Sequence, residues 1–311
     1  MEEIVISESE YGQRLDKYLT KYYKNIPYGR LQKMIRNKDV KVNGRRAQAD
    51  RRLVAGDRIS VYLYDNEKKE EARRTAYALD ETRIVYEDRD MLIYDKAAGE
   101  SAQGGTDVKC DLSAAFASYL EHKGEYAPEV QRTYTPSFIN RLDTNTMGLM
   151  VGAKNYFTAK KLSRLSNEGK IKKYYTALLC GKTLKPGVYR AYLHKDERTK
   201  TAHIYANERL GAKEIITEII SVKSNDNKHL CRILLKTGRY HQIRAHMAFL
   251  SCPVVGDKKY GNAAVNAAFK RRYDVDSQLL KADEVVVIGE EPLRFKVDCP
   301  LVFEKAFSGR Q

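Results

Sequence analysis

The chain has 311 residues, 42% of them hydrophobic and spread along its length, which excludes a mainly disordered protein. Its 56 Lys and Arg against 41 Asp and Glu give a formal net charge of +15. Such an excess favours a polyanionic partner: RNA, DNA or an anionic membrane surface. No apolar run approaches the ~18 residues of a membrane span, and the acidic start lacks the features of a signal peptide. We therefore expect a cytoplasmic protein. The alternative to a polyanionic partner is a soluble protein that is basic but binds no polyanion.

The cysteines and glycines exclude several chemistries. The five cysteines are odd in number and form no C-x-x-C pair, which favours free, buried thiols over disulfides or a zinc site. Neither G-x-x-x-x-G-K nor G-x-G-x-x-G occurs, which argues against ATP or NAD chemistry.

Residues 10–64 form a distinct basic block, with 14 Lys or Arg against five acids, so that they hold +9 of the total charge. The apolar spacing predicts two short helices, the first with Leu15, Tyr18, Leu19 and Tyr22 and the second with Leu31, Met34 and Ile35. Val40 and Val42 alternate before Asn43-Gly44, which indicates a strand entering a tight turn. A last strand carries Ile59, Val61 and Leu63.

Residues 65–82 are dense in mixed charge and are interpreted as a linker. From 83 to 305, strand-like and helical runs interleave without a phosphate loop. The predicted strands cover 83–86, 91–95, 148–153, 172–179, 230–236 and 284–288, and the predicted helices cover 112–122, 156–168 and 240–250. The expected fold class is α+β: a small N-terminal α/β domain, then a larger domain with a mixed, mostly antiparallel β-sheet flanked by helices.

Three stretches of the larger domain could carry chemistry. The first is Arg141-Leu142-Asp143 with Gly148, the second is 171–181, and the third is 234–261. Taken singly, each has an ordinary interpretation: Asp143 as a turn residue, the tyrosines of the second stretch as sheet formers, and Arg244 as half of a surface ion pair. His241 and His246 are five apart, which is the wrong spacing for two metal ligands on one helical face.

The N-terminal block resembles the small RNA-binding domain first described in a small-subunit ribosomal protein, the S-four type. The resemblance rests on R-L-D-x-x-L at 14–19, the basic second helix, V-x-V-N-G at 40–44 and G-D-x-I at 56–59. Members usually open the second helix with serine-arginine, where this chain has Tyr28-Gly29-Arg30, so a weaker helix cap is expected. The resemblance implies RNA binding through exposed basic side chains, namely Arg14, Arg30, Lys33, Arg36 and Arg45.

Taken together, the three stretches resemble the RNA pseudouridine synthases, in the RluA-type branch that modifies ribosomal RNA. The motifs are R-L-D-x-x-x-x-G at 141–148, K-x-Y-x-A-x-x-x-G at 173–181, T-G-R-x-H-Q-I-R-x-H at 237–246 and P-x-x-G-D-x-x-Y-G at 253–261. They stand in family order, and the resemblance ends near residue 262.

The resemblance implies an enzyme that detaches uracil from ribose, rotates it and rejoins it through carbon 5, with no cofactor or metal. Asp143 matches the catalytic acid, which in the family adds to the base, adds to the ribose or abstracts a ribose proton. Arg244 matches the arginine that pairs with this acid, and Tyr175 matches the tyrosine that stacks on the target base. All three roles of the acid need an ionised carboxylate, which a neighbouring guanidinium favours.

Further residues of these motifs are assigned to RNA or substrate: Arg141, Asn140, Arg239, His241 and Gln242. The expected partner is RNA, with ribosomal RNA favoured and transfer RNA as the alternative, and the expected state is a monomer. The target uridine has to leave its stack to reach Asp143.

The chain departs from the family pattern at several positions. Asn140 stands for the usual histidine before R-L-D, Ala97 for the proline of a K-P-x-G loop, Gln103 for a nearby histidine, and Cys252 for another. These departures leave open an RNA-binding protein that kept the scaffold and lost turnover. A hydrolase that uses Asp143 with His241 is a further alternative, although no nucleophile or metal partner is evident.

Overall fold

The structure is a computed structural model that describes residues 1–8, 10–23, 26–62, 78–102 and 111–309. Leu63, Gln103, Cys110 and the linker as far as residue 77 lie outside these ranges. None of the described helices is both long enough and apolar enough to cross a membrane.

The N-terminal unit packs two short helices against a four-stranded antiparallel sheet of order β1-β4-β2-β3. Its elements are β1 (Glu2–Val5), α1 (Leu15–Tyr22), α2 (Tyr28–Arg36), β2 (Val40–Val42), β3 (Arg45–Arg46) and β4 (Arg58–Val61). Asn43 and Gly44 take φ values of 53° and 73° between β2 and β3, as a two-residue hairpin turn requires. Because β1 belongs to this sheet, the unit starts before residue 10, where the sequence placed its boundary.

Asp16 joins the two helices of this unit. No side chain caps the start of α2, but the Tyr28 hydroxyl donates to Asp16 Oδ2 at 3.2 Å. Arg14 donates to the same carboxylate at 3.0 and 3.1 Å. Tyr28 therefore ties α2 to α1 at the position where the family has a capping serine.

The larger unit is built on an 11-stranded sheet whose main path runs β11-β10-β12-β13-β9-β14-β8-β6-β5. All strand pairs are antiparallel except β8 with β14. This confirms the expected mixed, mostly antiparallel sheet. The strands are β5 (Ile84–Glu87), β6 (Met91–Lys96), β7 (Ser137–Phe138), β8 (Met147–Ala153), β9 (Ile171–Cys180), β10 (Gly187–Asp196), β11 (Thr201–Tyr205), β12 (Lys213–Asn225), β13 (Lys228–Leu235), β14 (Leu280–Val287) and β15 (Leu293–Lys296).

Helices cover both faces of this sheet. They are α3 (Leu112–His122), α4 (Tyr156–Asn167), α5 (Gln242–Phe249), α6 (Ala263–Tyr273) and α7 (Leu301–Ser308). Strand β6 shows the arrangement: Leu92 and Tyr94 pack in one cluster with Phe116 of α3, while Ile93 packs in another with Leu162 of α4. A strand buried on both faces is apolar throughout, which is why the β6 run is conspicuous in the sequence.

Several elements were not predicted from the sequence: β1, β7, β10, β11, β12, β15, α6 and α7. Strand β10 is half exposed and carries charged residues among its apolar ones, so its apolar signal is weak. Helix α6 contains no fully buried residue, and its apolar stripe, Val265, Phe269 and Tyr273, is only half-buried, so its apolar signal is weak.

The two units are joined by a buried polar contact. Glu10 and Gln13 are fully buried, and Glu10 Oε1 accepts from the backbone N–H and the hydroxyl of Thr133 at 3.1 and 2.7 Å. The Gln13 amide donates to the same hydroxyl oxygen at 2.8 Å. Beside it, the rings of Tyr11 and Phe157 stack with centroids 5.2 Å apart.

Candidate active site

Asp143 lies in the short loop between β7 and β8, where its carbonyl accepts a hydrogen bond from Thr146 N at 2.9 Å. Five residues later, Gly148 has a φ of +120°, and a Cβ there would lie 2.2 Å from the carbonyl oxygen of Ala282. Only glycine lets β14 approach β8 this closely. Gly148 thus permits the close packing of β14 against β8, the strand that follows the Asp143 loop.

Asn140 holds the start of the same loop. It is buried, its Oδ1 accepts from Val151 N at 2.7 Å, and its Nδ2 donates to Leu149 O at 3.2 Å. Both bonds fasten the loop to β8. The residue that replaces the family histidine therefore serves the scaffold.

Lys96 is hydrogen-bonded to the loop that carries Asp143. It is fully buried, and its Nζ donates to Ala97 O and Thr144 O, each at 2.7 Å. Burial lowers the pKa of Lys96 to about 8, although the charges of Glu100 and Asp143 oppose this shift. Ala97 N donates to Glu100 Oε2 at 2.7 Å, a bond that the usual proline could not make.

Arg244, in the first turns of α5, connects two carboxylates. Its Nη1 donates to Asp143 Oδ2 at 2.9 Å, and its Nε and Nη2 donate to the two oxygens of Asp257 at 2.6 and 3.0 Å. The bidentate contact is therefore with Asp257, and Asp143 receives a single bond. Burial alone would lower the pKa of Arg244, but the bonds and charges of both carboxylates outweigh it and raise that pKa.

Asp257 is almost fully buried, and both of its carboxylate oxygens accept hydrogen bonds. Besides Arg244, the backbone N–H groups of Lys259 and Tyr260 donate to its Oδ1 at 2.8 and 3.0 Å. Burial would raise the pKa of Asp257, but Arg244 and these N–H groups lower it overall. Asp257 therefore remains a charged anchor for Arg244.

His241 lies beside the acid as a neutral ring. Burial, together with the nearby positive charges of Arg244 and Lys259, lowers its pKa to about 4, against the opposing charge of Asp143. Its Nδ1 is 2.9 Å from the Tyr260 hydroxyl, and its Nε2 is 3.9 Å from Asp143 Oδ2. The Tyr260 oxygen accepts from Ala202 N at 2.7 Å, and its proton can be donated to Nδ1; in that tautomer the imidazole proton is on Nε2, facing Asp143.

Gln242 and His246 face the interior of the protein. The Gln242 carbonyl accepts from Thr237 Oγ1 and Arg239 N at 2.9 and 3.0 Å, and its amide donates to Thr217 Oγ1 at 3.1 Å. His246 Nδ1 is 3.0 Å from the same threonine oxygen. Gln242 thus fixes the turn before α5, which is the turn that aims His241 and Arg244.

Tyr175 projects from β9 toward Asp143 and is 5% exposed. Burial and the charge of Asp143 raise the pKa of its phenol, so the hydroxyl keeps its proton at neutral pH. The ring therefore offers a flat face and a neutral O–H.

All eight residues that the sequence assigned to the larger domain line one cavity of about 670 Å3. They are Asn140, Arg141, Asp143, Tyr175, Arg239, His241, Gln242 and Arg244. Asp143 is 24% exposed within it, so a molecule in the cavity can reach its carboxylate. Arg141 and Arg239 are exposed, and their guanidinium groups are available to phosphates.

The five basic residues assigned to the N-terminal domain lie apart from this cavity. Arg14, Arg30, Lys33, Arg36 and Arg45 are all exposed on that domain. Arg14 is engaged by Asp16.

The sequence analysis gave no role to two residues that complete the site, Asp257 and Tyr260. Both stand in the fourth motif, P-x-x-G-D-x-x-Y-G, so the signal was present. What the motif did not show is that Asp257 holds the far side of Arg244.

Two family models match this chain. The family described as "RNA pseudouridylate synthase" matches residues 90–249, and the S4 domain family matches 13–59. The "Ribosomal large subunit pseudouridine synthase C" of Rickettsia felis is 32% identical over 82% of this chain and 83% of its own length. The protein of the same name from Rickettsia prowazekii is 29% identical over 94% of this chain and 95% of its own.

Among solved structures, "Human RNA Pseudouridylate Synthase Domain Containing 4" superposes with a TM-score of 0.59 at 17% identity, over 73% of this chain and 92% of its own, which shows a shared fold. The family matches and the relatives identify an RNA-modifying isomerase with an RNA-binding S4 domain in front. The chain belongs to the RNA pseudouridylate synthase family.

Proposed function

We propose that this enzyme converts specific uridines of structured ribosomal RNA to pseudouridine, with Asp143 as the acting carboxylate. The observation that carries the proposal is the placement of Asp143: it accepts from Arg244 at 2.9 Å and remains open to the cavity. A guanidinium stabilises the negative charge of a carboxylate without blocking its second oxygen. The names of the Rickettsia relatives support ribosomal RNA as the substrate.

The proposed reaction is balanced within one nucleotide. The N1–C1′ bond breaks, a C5–C1′ bond forms, and the proton on C5 is lost while one returns to N1. A carboxylate can serve this sequence as a nucleophile toward the base or the ribose, or as a base toward a ribose proton. No oxidant, water or group acceptor is consumed. The proposed steps also assign no role to a metal ion, so we expect full turnover in the presence of EDTA.

The other cavity residues divide into those that meet the substrate and those that hold the site. Tyr175 is proposed to stack on the uracil ring, as the family resemblance implies, because it lines the cavity and presents an aromatic ring there. Arg141 and Arg239 bind phosphates at the rim. His241 directs Nε2–H toward Asp143, whereas Asn140 and Gln242 act through the loop and the turn to which their side chains are bonded.

The recessed position of Asp143 requires the target uridine to leave its stack. Unstacking costs a few kcal/mol, which contacts elsewhere on the RNA can offset. The exposed Lys33, Arg36 and Arg45 of the N-terminal domain suit such contacts because phosphate binding positions RNA without reading its sequence.

A non-catalytic RNA-binding protein is the second candidate, suggested by the departures at Asn140 and Gln103. The bonds of Asn140 weaken it, because they maintain the loop geometry that the acid needs.

The deciding experiment is carbodiimide mapping of pseudouridine in total RNA from cells with and without the gene. We expect the loss of one or a few ribosomal sites, restored by the wild type and not by Asp143→Asn, which preserves the shape of the side chain. A lost site in transfer RNA would change the substrate class. An unchanged map, with RNA binding intact, would establish the non-catalytic protein instead.

A further inference from the structure

Helix α4 links the N-terminal domain to the catalytic cavity. At its first residues, Phe157 stacks on Tyr11 of the N-terminal domain, and Lys21 Nζ lies 4.6 Å from the centroid of the Tyr156 ring. At its other end, Ser166 and Asn167 line the cavity. The 12 residues between these ends span about 18 Å.

One face of α4 is buried and the other is free. Thr158, Leu162 and Leu165 are buried toward the sheet. Phe157, Lys160, Lys161, Arg164 and Asn167 are exposed, and their spacing of three or four residues places them along one side of the helix. A continuous outer stripe therefore runs from the N-terminal domain to the cavity.

The charge of this stripe is almost entirely positive. From 156 to 173 the chain has six Lys or Arg and a single acid, Glu168. Glu168 pairs with Lys170 at 2.8 Å and lies 3.6 Å from Arg164, which is still 71% exposed. Within the described part of the chain, neither Lys160 nor Lys161 has an ion-pair partner.

We propose that the outer stripe of α4, formed by Lys160, Lys161 and Arg164, is an RNA-binding surface that carries the phosphate backbone between the S4 domain and the cavity. Such a stripe of cations has the charge and the extent to follow a strand of phosphates. The buried Glu10–Thr133 contact holds the S4 domain next to the first residues of α4. The S4 domain, the stripe and the cavity are therefore expected to bind one RNA at a fixed spacing. The inference rests on the proposed function for the identity of the RNA.

The test compares two triple variants of the full-length enzyme. In the stripe variant, Lys160→Ala, Lys161→Ala and Arg164→Ala remove three exposed charges. In the control variant, Lys223→Ala, Arg271→Ala and Lys305→Ala remove the same charge from exposed positions on β12, α6 and α7. Helices α6 and α7 pack in a different apolar cluster from α4.

The probe is transcribed large-subunit ribosomal RNA, and the readout is the dependence of binding on salt. The stripe variant should lower the slope of log K against log salt by about 2, because each phosphate contact on a single strand contributes about 0.7. Its KM should rise while kcat stays within about twofold of the wild type. The control variant should match the wild type in the salt slope and in the kinetic constants.

Equal slopes for the stripe and control variants would overturn the proposal, as would a fall in kcat at unchanged KM. Failure of the proposed function appears separately, as binding without pseudouridine formation by the wild type. The salt slope still tests the stripe in that case, because it does not depend on turnover.

Discussion

Arg244 makes its two-pronged contact with Asp257, at 2.6 and 3.0 Å, and reaches the proposed catalytic Asp143 with one remaining nitrogen at 2.9 Å. Asp257 is enclosed, whereas Asp143 faces the cavity. The buried carboxylate thereby holds the guanidinium in place, and the exposed carboxylate keeps an oxygen available for substrate. The orientation of Arg244 is thus fixed by Asp257, a buried residue that does not line the cavity.

Replacing Arg244 by lysine should therefore cripple turnover even though the positive charge is kept. A single ammonium cannot donate along the three directions that the two carboxylates require. We expect kcat to fall by about 100-fold, as when one preorganised donor is lost from an active site. The measurement is single-turnover release of tritium from RNA labelled at C5 of uridine.

Arg190→Lys is the matched control, because Arg190 is exposed on β10 and pairs with Glu214. It should leave the rate unchanged. An Arg244→Lys enzyme with the kcat of the wild type would show that the forked contact is not needed.

Gly148→Ala should destabilise the protein severely. The new Cβ would lie 2.2 Å from Ala282 O, and the φ of +120° is itself strained for any other residue. We expect a loss of about 3 kcal/mol or more in the free energy of unfolding, measured by urea denaturation. Gly29→Ala, in α2 with nothing within 4 Å of its Cβ, should be neutral or stabilise by up to about 1 kcal/mol. A well-folded Gly148→Ala protein would mean that β14 is not held against β8 as described.

Mild acid should weaken the fold through His241 and His246. Burial lowers the pKa of each to about 4 in the folded protein, whereas an unfolded histidine titrates near about 6.5. Between these values the unfolded chain binds protons that the folded chain does not, so stability is greatest above pH 6.5 and falls as the pH drops toward 4.

Urea midpoints at pH 7 and pH 5 provide the test. His246→Gln should lose less stability on acidification than the wild type, because one buried imidazole no longer titrates. His122→Gln, at an exposed position of α3, should behave as the wild type. An identical pH dependence for His246→Gln would contradict the assignment.

Removing two basic residues from α2 should weaken RNA binding without slowing chemistry. Lys33→Ala with Arg36→Ala should lower the salt slope by about 1.4, at about 0.7 for each phosphate contact. The rate at saturating RNA should not change, because both residues are exposed on the N-terminal domain and lie apart from the cavity. Filter binding over a salt series measures the slope, and an unchanged slope would remove α2 from the RNA-binding surface.

Local patterns predicted the elements whose burial is regular. Helix α3 covers Leu112–His122 as expected, and α4 ends one residue earlier than expected, at Asn167. Helix α4 has a clear division between buried and exposed sides, whereas α3 is mainly buried and apolar along its length, and both patterns can be recognised in the sequence. In strand β10 only Ala191 and Leu193 are buried, and the apolar stripe of α6 is only half-buried, so the apolar pattern of both elements is weak.

The class of the protein could be predicted from its sequence, and so could the candidate site residues Asp143, Tyr175 and Arg244, because each stands in a local motif with a characteristic spacing. How these residues are arranged relative to one another depends on the tertiary structure. Asp143 and Arg244 are 101 residues apart and meet only when β8, β14 and α5 are packed. The inward bonds of Asn140 and Gln242, and the anchoring of Arg244 by Asp257, depend on neighbours that no local pattern specifies. A motif records which side chains are present, and packing decides which of them face the substrate and which hold the site together.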